Sequence, residues 1–146
     1  MALVLFDSNI LIDALKGYEQ ALIELAYWND PAISSITWME VYAGATIDEI
    51  PKLNELVETV RFKIFHTSDA IMKRATQIRS ASLRQSRKTA LPDAIIMATA
   101  LELDAILITR NKRDFKGRRV RIPYELRTQT LVQVVNIVAP DAASNN

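Results

Sequence analysis

Apolar and polar positions follow two periods along the chain. Residues 2–6 are a short apolar run closed by Asp7, the pattern of a strand buried on both faces and ending at a polar edge. Ile10, Leu11, Ala14 and Leu15 then recur at helical spacing, with Ser8 or Asn9 placed to cap that helix and Gly17 to stop it. The same period predicts a second helix over 18–28, ended by Asn29-Asp30-Pro31. Residues 32–34 read as a strand, 37–44 as a helix opening on Thr37, 51–60 as a helix with Pro51 in its first turn, and 62–65 as a strand. Ser68 caps a long amphipathic helix with Ile71, Ala75, Ile78 and Leu83 on one face and Lys73, Arg74, Arg79 and Arg84 among its polar residues. Leu91-Pro92-Asp93 opens a nearly all-apolar helix over 94–103, and 105–109 repeats the buried-strand pattern. A short strand follows at 120–122, whereas 131–138 fits either a strand or part of a helix. Strands alternating with helices predict an α/β fold, a sandwich of helices around a mostly parallel sheet.

Composition narrows the chemistry. The 146 residues contain no Cys, one histidine (His66) and three glycines. Thiolate nucleophiles, disulfides, multi-histidine zinc sites within one chain, the P-loop and the Gly-rich dinucleotide loop are all excluded. The N-terminal run meets Asp7 too soon for a signal peptide, and no apolar run approaches a membrane span, so a cytoplasmic protein is expected. The formal net charge of +1 conceals a division. Up to Val60 there are ten acids against two bases, a net of −8; from Arg61 onward there are 16 bases and 7 acids, a net of +9. That asymmetry suits one site serving both a cation and a polyanion.

Carboxylates are therefore the candidate working groups. In a parallel α/β sheet, ligands bind at the carboxyl ends of the strands. Asp7 sits at such an end, Glu40 and Asp93 fall in first turns of helices, and Asp114 follows the strand at 105–109. Each also has a plain structural reading. Asp7 can form a turn, Thr37-x-x-Glu40 matches a capping box, Asp93 complements a helix dipole, and Asp114 can pair with Arg110 or Arg118. Gathered together, four carboxylates would need a cation, and an all-oxygen donor set selects Mg²⁺ or Mn²⁺. Arg84, Arg87 and Lys88 lead into Asp93, and Arg110, Lys112, Arg113, Lys116, Arg118, Arg119 and Arg121 surround Asp114, as phosphate-binding clusters would. Trp28, Trp38, Tyr42 and Tyr124 are candidate base-stacking groups, with Trp38 and Tyr42 better read as core or interface residues.

Four segments in order carry a resemblance that spans the chain from Leu3 to about Ile122. They are Leu5-Phe6-Asp7-Ser8-Asn9-Ile10-Leu11-Ile12-Asp13, Ile33-Ser34-Ser35-Ile36-Thr37-Trp38-Met39-Glu40-Val41-Tyr42-Ala43-Gly44, Leu91-Pro92-Asp93-Ala94-Ile95-Ile96-Met97-Ala98-Thr99-Ala100 and Leu107-Ile108-Thr109-Arg110-Asn111-Lys112-Arg113-Asp114-Phe115. The chain resembles the PIN-domain ribonucleases, and especially the VapC toxins of prokaryotic toxin and antitoxin pairs. The resemblance implies a PIN-like three-layer sandwich over 1–139, followed by a flexible tail at 140–146. It implies cleavage of RNA with Mg²⁺ (or Mn²⁺) held by Asp7, Glu40, Asp93 and Asp114, with Thr109 and Asn111 supporting. Some members carry the fourth acid at the position of Asn111, others at that of Asp114. Arg84, Arg87, Lys88, Arg110, Lys112 and Arg113 are the expected RNA contacts, and Asp13 is expected to point away from the site. A VapB-like antitoxin and a homodimer are the implied protein partners. The readings left beside the toxin are a housekeeping RNA-processing endonuclease and a non-catalytic binding module.

Overall fold

The computed structural model describes residues 2–128 and 131–143. Val4, Leu5 and Phe6 form β1 (Val4–Phe6), and all three are fully buried. Their side chains alternate between two cores, as strand geometry requires. Val4 and Phe6 pack with α1 (Ser8–Leu15), α2 (Glu19–Tyr27) and α4 (Ile50–Val60), whereas Leu5 packs with Ile96 and Ala100 of α6 (Leu91–Glu102). Ile33 and Ala32 divide in the same way on β2 (Pro31–Ser34), and Ile108 and Leu107 on β4 (Ile106–Ile108). α5 (Asp69–Ser82) lies against α6 through Ile71 and Ala75 on Ala94 and Ala98. α3 (Ser35–Gly44) touches helices of both layers, α1 and α6. The result is the expected α/β sandwich of three layers.

The central sheet is wholly parallel, in the order β3-β2-β1-β4-β5, with β3 at Lys63–Phe65 and β5 at Val120–Arg121. The chain builds outward from β1 to β3, then returns through α5 and α6 to place β4 on the other side of β1. Strand order therefore reverses at β1, and the crevice at such a reversal is where ligands bind. Phe6 pairs with Ile108, so Asp7 and Thr109 emerge side by side at the carboxyl edge.

Several boundaries differ from the expectation. α3 begins at Ser35, directly after β2, because the Ser34 hydroxyl accepts from the Ile36 amide at 3.2 Å and caps the helix. Thr37 is thus inside the helix. Its buried hydroxyl has no partner, and no capping box forms with Glu40. A second sheet carries no clear mark in the sequence: β6 (Glu125–Thr128) pairs antiparallel with β7 (Val132–Val135), which settles the ambiguous segment as strand. β6 gives almost no sequence signal because Leu126 is its only aliphatic residue. Leu126 and its cross-strand partner Val134 both pack on the first core. Pro140–Ala143 forms a short α7, and residues 144–146 of the expected tail lie outside the described residues.

Some basic and aromatic residues placed near the site by the sequence are instead structural. The Arg121 guanidinium donates to both oxygens of Glu24 on α2, at 2.6 and 2.9 Å, and to the Val138 carbonyl at 2.7 Å. The Trp28 indole donates to the same Glu24. Tyr124 is fully enclosed, with its hydroxyl donating to Asp13 at 2.6 Å. Neither Trp28 nor Tyr124 is available to stack on a base. Trp38 and Tyr42 pack on each other with ring centroids 4.6 Å apart.

Because both members of the Arg121–Glu24 pair are buried, removing one leaves an uncompensated charge in the interior. Arg121→Met is expected to lower unfolding free energy by about 3–5 kcal/mol, read as a reduced urea midpoint. A midpoint within error of the wild type would show the pair to be dispensable.

Candidate active site

Asp7 occupies the strand-to-helix corner between β1 and α1. Its carboxylate, rather than Ser8 or Asn9, caps α1, accepting from the Ser8 amide at 2.8 Å. The capping preference of Asp equals that of Ser and Asn, so the sequence could not choose among three consecutive candidates. The other carboxylate oxygen accepts from the Thr109 hydroxyl at 2.7 Å and from the Asn9 amide at 3.1 Å. Asn9 also donates to Thr109 Oγ1 at 3.2 Å and accepts from the Arg110 amide at 3.2 Å. It stitches the start of α1 to the end of β4. Sequence reasoning gave Asn9 only a capping role; its position two residues beyond a strand-end acid was the available signal.

Glu40 and Asp93 arrive from α3 and α6. The Glu40 side chain is exposed and the Asp93 side chain half-buried. Loss of solvation raises the pKa of each, and the charge of Asp7 raises both further. Asp93 also feels Asp114 and is pushed up to about 6; Glu40 feels Asp93. Burial likewise pushes the Asp7 carboxyl up, against the hydrogen bonds from Thr109 and Ser8 that favour its charged form. The charge of Asp7 thus disfavours ionisation of Glu40 and Asp93, and that of Asp93 disfavours ionisation of Glu40.

Asp114 behaves differently. Arg87 donates to it at 2.6 Å and the Asn111 side chain at 2.7 Å, which holds its carboxyl below the usual range. Asn111 Oδ1 in turn accepts from the Asp114 amide, and the Asn111 amide donates to Thr109 Oγ1 at 3.0 Å. The fourth acid is therefore present beside Asp93 but carries its own internal cation.

The expected RNA-contacting residues divide by partner. Arg84 and Lys88 are exposed on the segment between α5 and α6, and Arg113 is exposed beside Asp114. Arg87 is committed to Asp114, and Lys112 pairs with Glu125. Arg110 is not a free cation. Its guanidinium grips both oxygens of buried Asp13, at 2.5 and 3.1 Å, and so anchors the segment after β4 to α1. Asp13 is turned into this latch and away from the four acids, consistent with its place six residues beyond Asp7.

The donor set is oxygen-only, and the raised carboxylates mark negative charge that the protein leaves largely uncompensated. Both features fit a hard divalent cation. Among the described residues no group of three or more acids or histidine is disposed to hold an ion by itself.

A family model described as PIN domain matches residues 4–120. No curated protein gives a significant match to the chain. Among solved structures, a toxin-antitoxin complex from Klebsiella pneumoniae contains a chain 40% identical, with a TM-score of 0.70 over 84% of this chain and 98% of that one. DNA-bound VapBC from Salmonella typhimurium gives 22% identity and a TM-score of 0.70, over 83% of this chain and 98% of that one. DNA-bound VapBC2 from Rickettsia felis gives 23% and 0.66, over 76% and 89%. Below 25% identity these last two speak for the fold alone.

The raised pKa of Asp93 sets a pH dependence. Between its ordinary value of 3.8 and about 6, the folded chain holds a proton that the unfolded chain has released. Its contribution to stability is full below the ordinary value and lost as pH rises through about 6. The melting temperature of the metal-free Asp93→Asn variant should therefore exceed that of the wild type at pH 7.5 and match it near pH 4. Mg²⁺ should raise the wild-type Tm more at pH 7.5 than at pH 5 and have little effect on the variant. A Mg²⁺ shift retained in full by Asp93→Asn would remove Asp93 from the cation site.

Proposed function

The chain belongs to the PIN domain family, and from that membership we propose that it is a Mg²⁺-dependent endoribonuclease, a VapC-like toxin cutting structured RNA such as tRNA or rRNA in the cytoplasm. The observation that carries the reading is the place of Asp7 at the carboxyl edge where strand order reverses, held there by Thr109, with Glu40 and Asp93 near enough to feel its charge. Structural carboxylates are normally set beside partners that favour their charge.

Asp7 and Asp93 are the proposed principal ligands of Mg²⁺, with Mn²⁺ acceptable to the same oxygens, and Glu40 and Asp114 would support the ion or a second one. Once bound, the ion neutralises phosphoryl oxygens and acidifies water. Thr109 and Asn9 keep the Asp7 carboxylate aimed through their two hydrogen bonds. Glu40, exposed and with a raised pKa, is the group best suited to take the proton from the attacking water. Arg84, Lys88 and Arg113 supply positive charge to the RNA backbone, and Arg87 does so when released from Asp114. Attack by water, not by a ribose hydroxyl, leaves a 5′-phosphate and a 3′-hydroxyl.

A VapB-like antitoxin is the proposed inhibitor. The 40% identical chain from Klebsiella pneumoniae comes from a toxin-antitoxin complex, and α1 and α2 leave Ile12, Leu22 and Ile23 exposed. These side chains are the proposed contacts for the antitoxin, and a homodimer is proposed beside it.

Purified protein with Mg²⁺ is expected to cleave tRNA or rRNA, with Asp7→Asn and Asp93→Asn each slowing cleavage by about 100-fold or more. Sequencing of the product ends should find 5′-phosphates. A 2′,3′-cyclic phosphate would exclude attack by water, and equal cleavage by all three proteins would assign the activity to a contaminant.

A further inference from the structure

The β6–β7 pair lies beyond residues 4–120 that match the family, yet Leu126 and Val134 fix it to the same core. It forms part of the wall of a cavity of about 610 Å³, together with the segment that follows β4. Lys112 and Arg113 line the cavity from that segment, Arg127 and Asn136 from the strand pair, and Asn9 and Asn111 from the side of the acids. Glu125 is the one acid among the described lining residues, and both Lys112 and Asn136 already donate to it. Arg110, also in the lining, is satisfied by Asp13. Arg113 and Arg127 remain, exposed and without a close ion pair among the described residues, each acting only through its field on an acid that other donors already hold, Asp114 and Glu125.

Two cations without close ion pairs, with no aromatic ring among the described lining residues, suit phosphate oxygens and not stacked bases. The volume is that of a small-ligand pocket, enough for about one or two nucleotides. Asn9 and Asn111 donate at the same time to Asp7 and Asp114, so the cavity shares side chains with the acidic site. An acidic peptide would need buried apolar anchors for affinity, and among the described residues the lining offers Leu126 and Val135 alone.

We propose that this cavity binds backbone phosphates of an unpaired RNA strand whose scissile bond lies at the acids, with β6–β7 an attachment that holds substrate. The inference rests on the ribonuclease reading and extends it to how substrate is gripped.

The test measures binding of a short, fluorescently labelled, unpaired oligoribonucleotide to the full chain in EDTA, where cleavage plays no part. The double variant Arg113→Glu/Arg127→Glu should weaken binding about tenfold or more and lower the slope of log affinity against log salt by about 0.7 for each phosphate that is no longer neutralised. Lys73→Glu, on the exposed face of α5, should stay within about twofold of the wild type. Arg127→Gln, which keeps most of the side chain, should lose about threefold with an unchanged Tm, covering the case in which charge reversal disturbs the strand pair. Wild-type RNA affinity in both arginine variants, or no RNA binding by the wild type, overturns the proposal. RNA affinity unchanged but affinity for oligoglutamate abolished would assign the cavity to a protein partner and overturn it equally. Failure of the Mg²⁺-loaded wild type to cleave RNA would instead remove the ribonuclease reading, while the metal-free measurement still reports on the cavity.

Discussion

The parallel pairing of β1 with β4 holds the site together. Phe6 opposite Ile108 brings Asp7 and Thr109 into contact across 102 positions of sequence, and the Asp7 amide extends the ladder by donating to the Ile108 carbonyl at 2.9 Å. The force that secures this register is burial on both faces of the two strands. Slipping by one residue would exchange Val4 and Phe6 with Leu5 between two differently shaped cores. Burying each such side chain contributes roughly 1.5–3 kcal/mol, and the set buried on both strands together outweighs any single hydrogen bond at the edge. The hydrogen bonds to Asp7 are thus aimed by a hydrophobic register that they do not themselves create.

Once that edge is set, the other acids follow from helix packing. α6 is nearly all apolar and must lie on the sheet, which fixes where its first turn presents Asp93. α3 touches both helical layers and brings Glu40 to the same mouth. Neither acid is drawn there by its neighbours, since the charge of Asp7 raises the pKa of both. Packing free energy offsets the repulsion, and a divalent cation would relieve it.

The cations are sorted by the same principle. Those that tertiary structure encloses become struts: Arg121 on Glu24 behind the sheet, Arg110 on Asp13 beneath the site. Those at the surface form contacts of small worth or stay free, and it is these that remain for a polyanion. The basic half of the chain is therefore less of an RNA surface than its count of charges suggests, because part of it is taken up inside.

Most of the architecture was legible in the sequence. Apolar runs of strand length and helical periods identified the five parallel strands and the helices between them, since both patterns are direct consequences of burial. Asp7, Glu40, Asp93 and Asp114 stood out by type and by position at element ends. Hidden from sequence were pairings that depend on distance in space. Nothing local shows that Arg110 turns back to Asp13, that Arg87 crosses to Asp114, or that Asn9 spans β1 and β4. β6 was invisible because one inward residue makes no period. The order of residues was enough to say which groups could do chemistry. Folding then selected those free to do it, because freedom from a partner is set by long-range packing that no local pattern encodes.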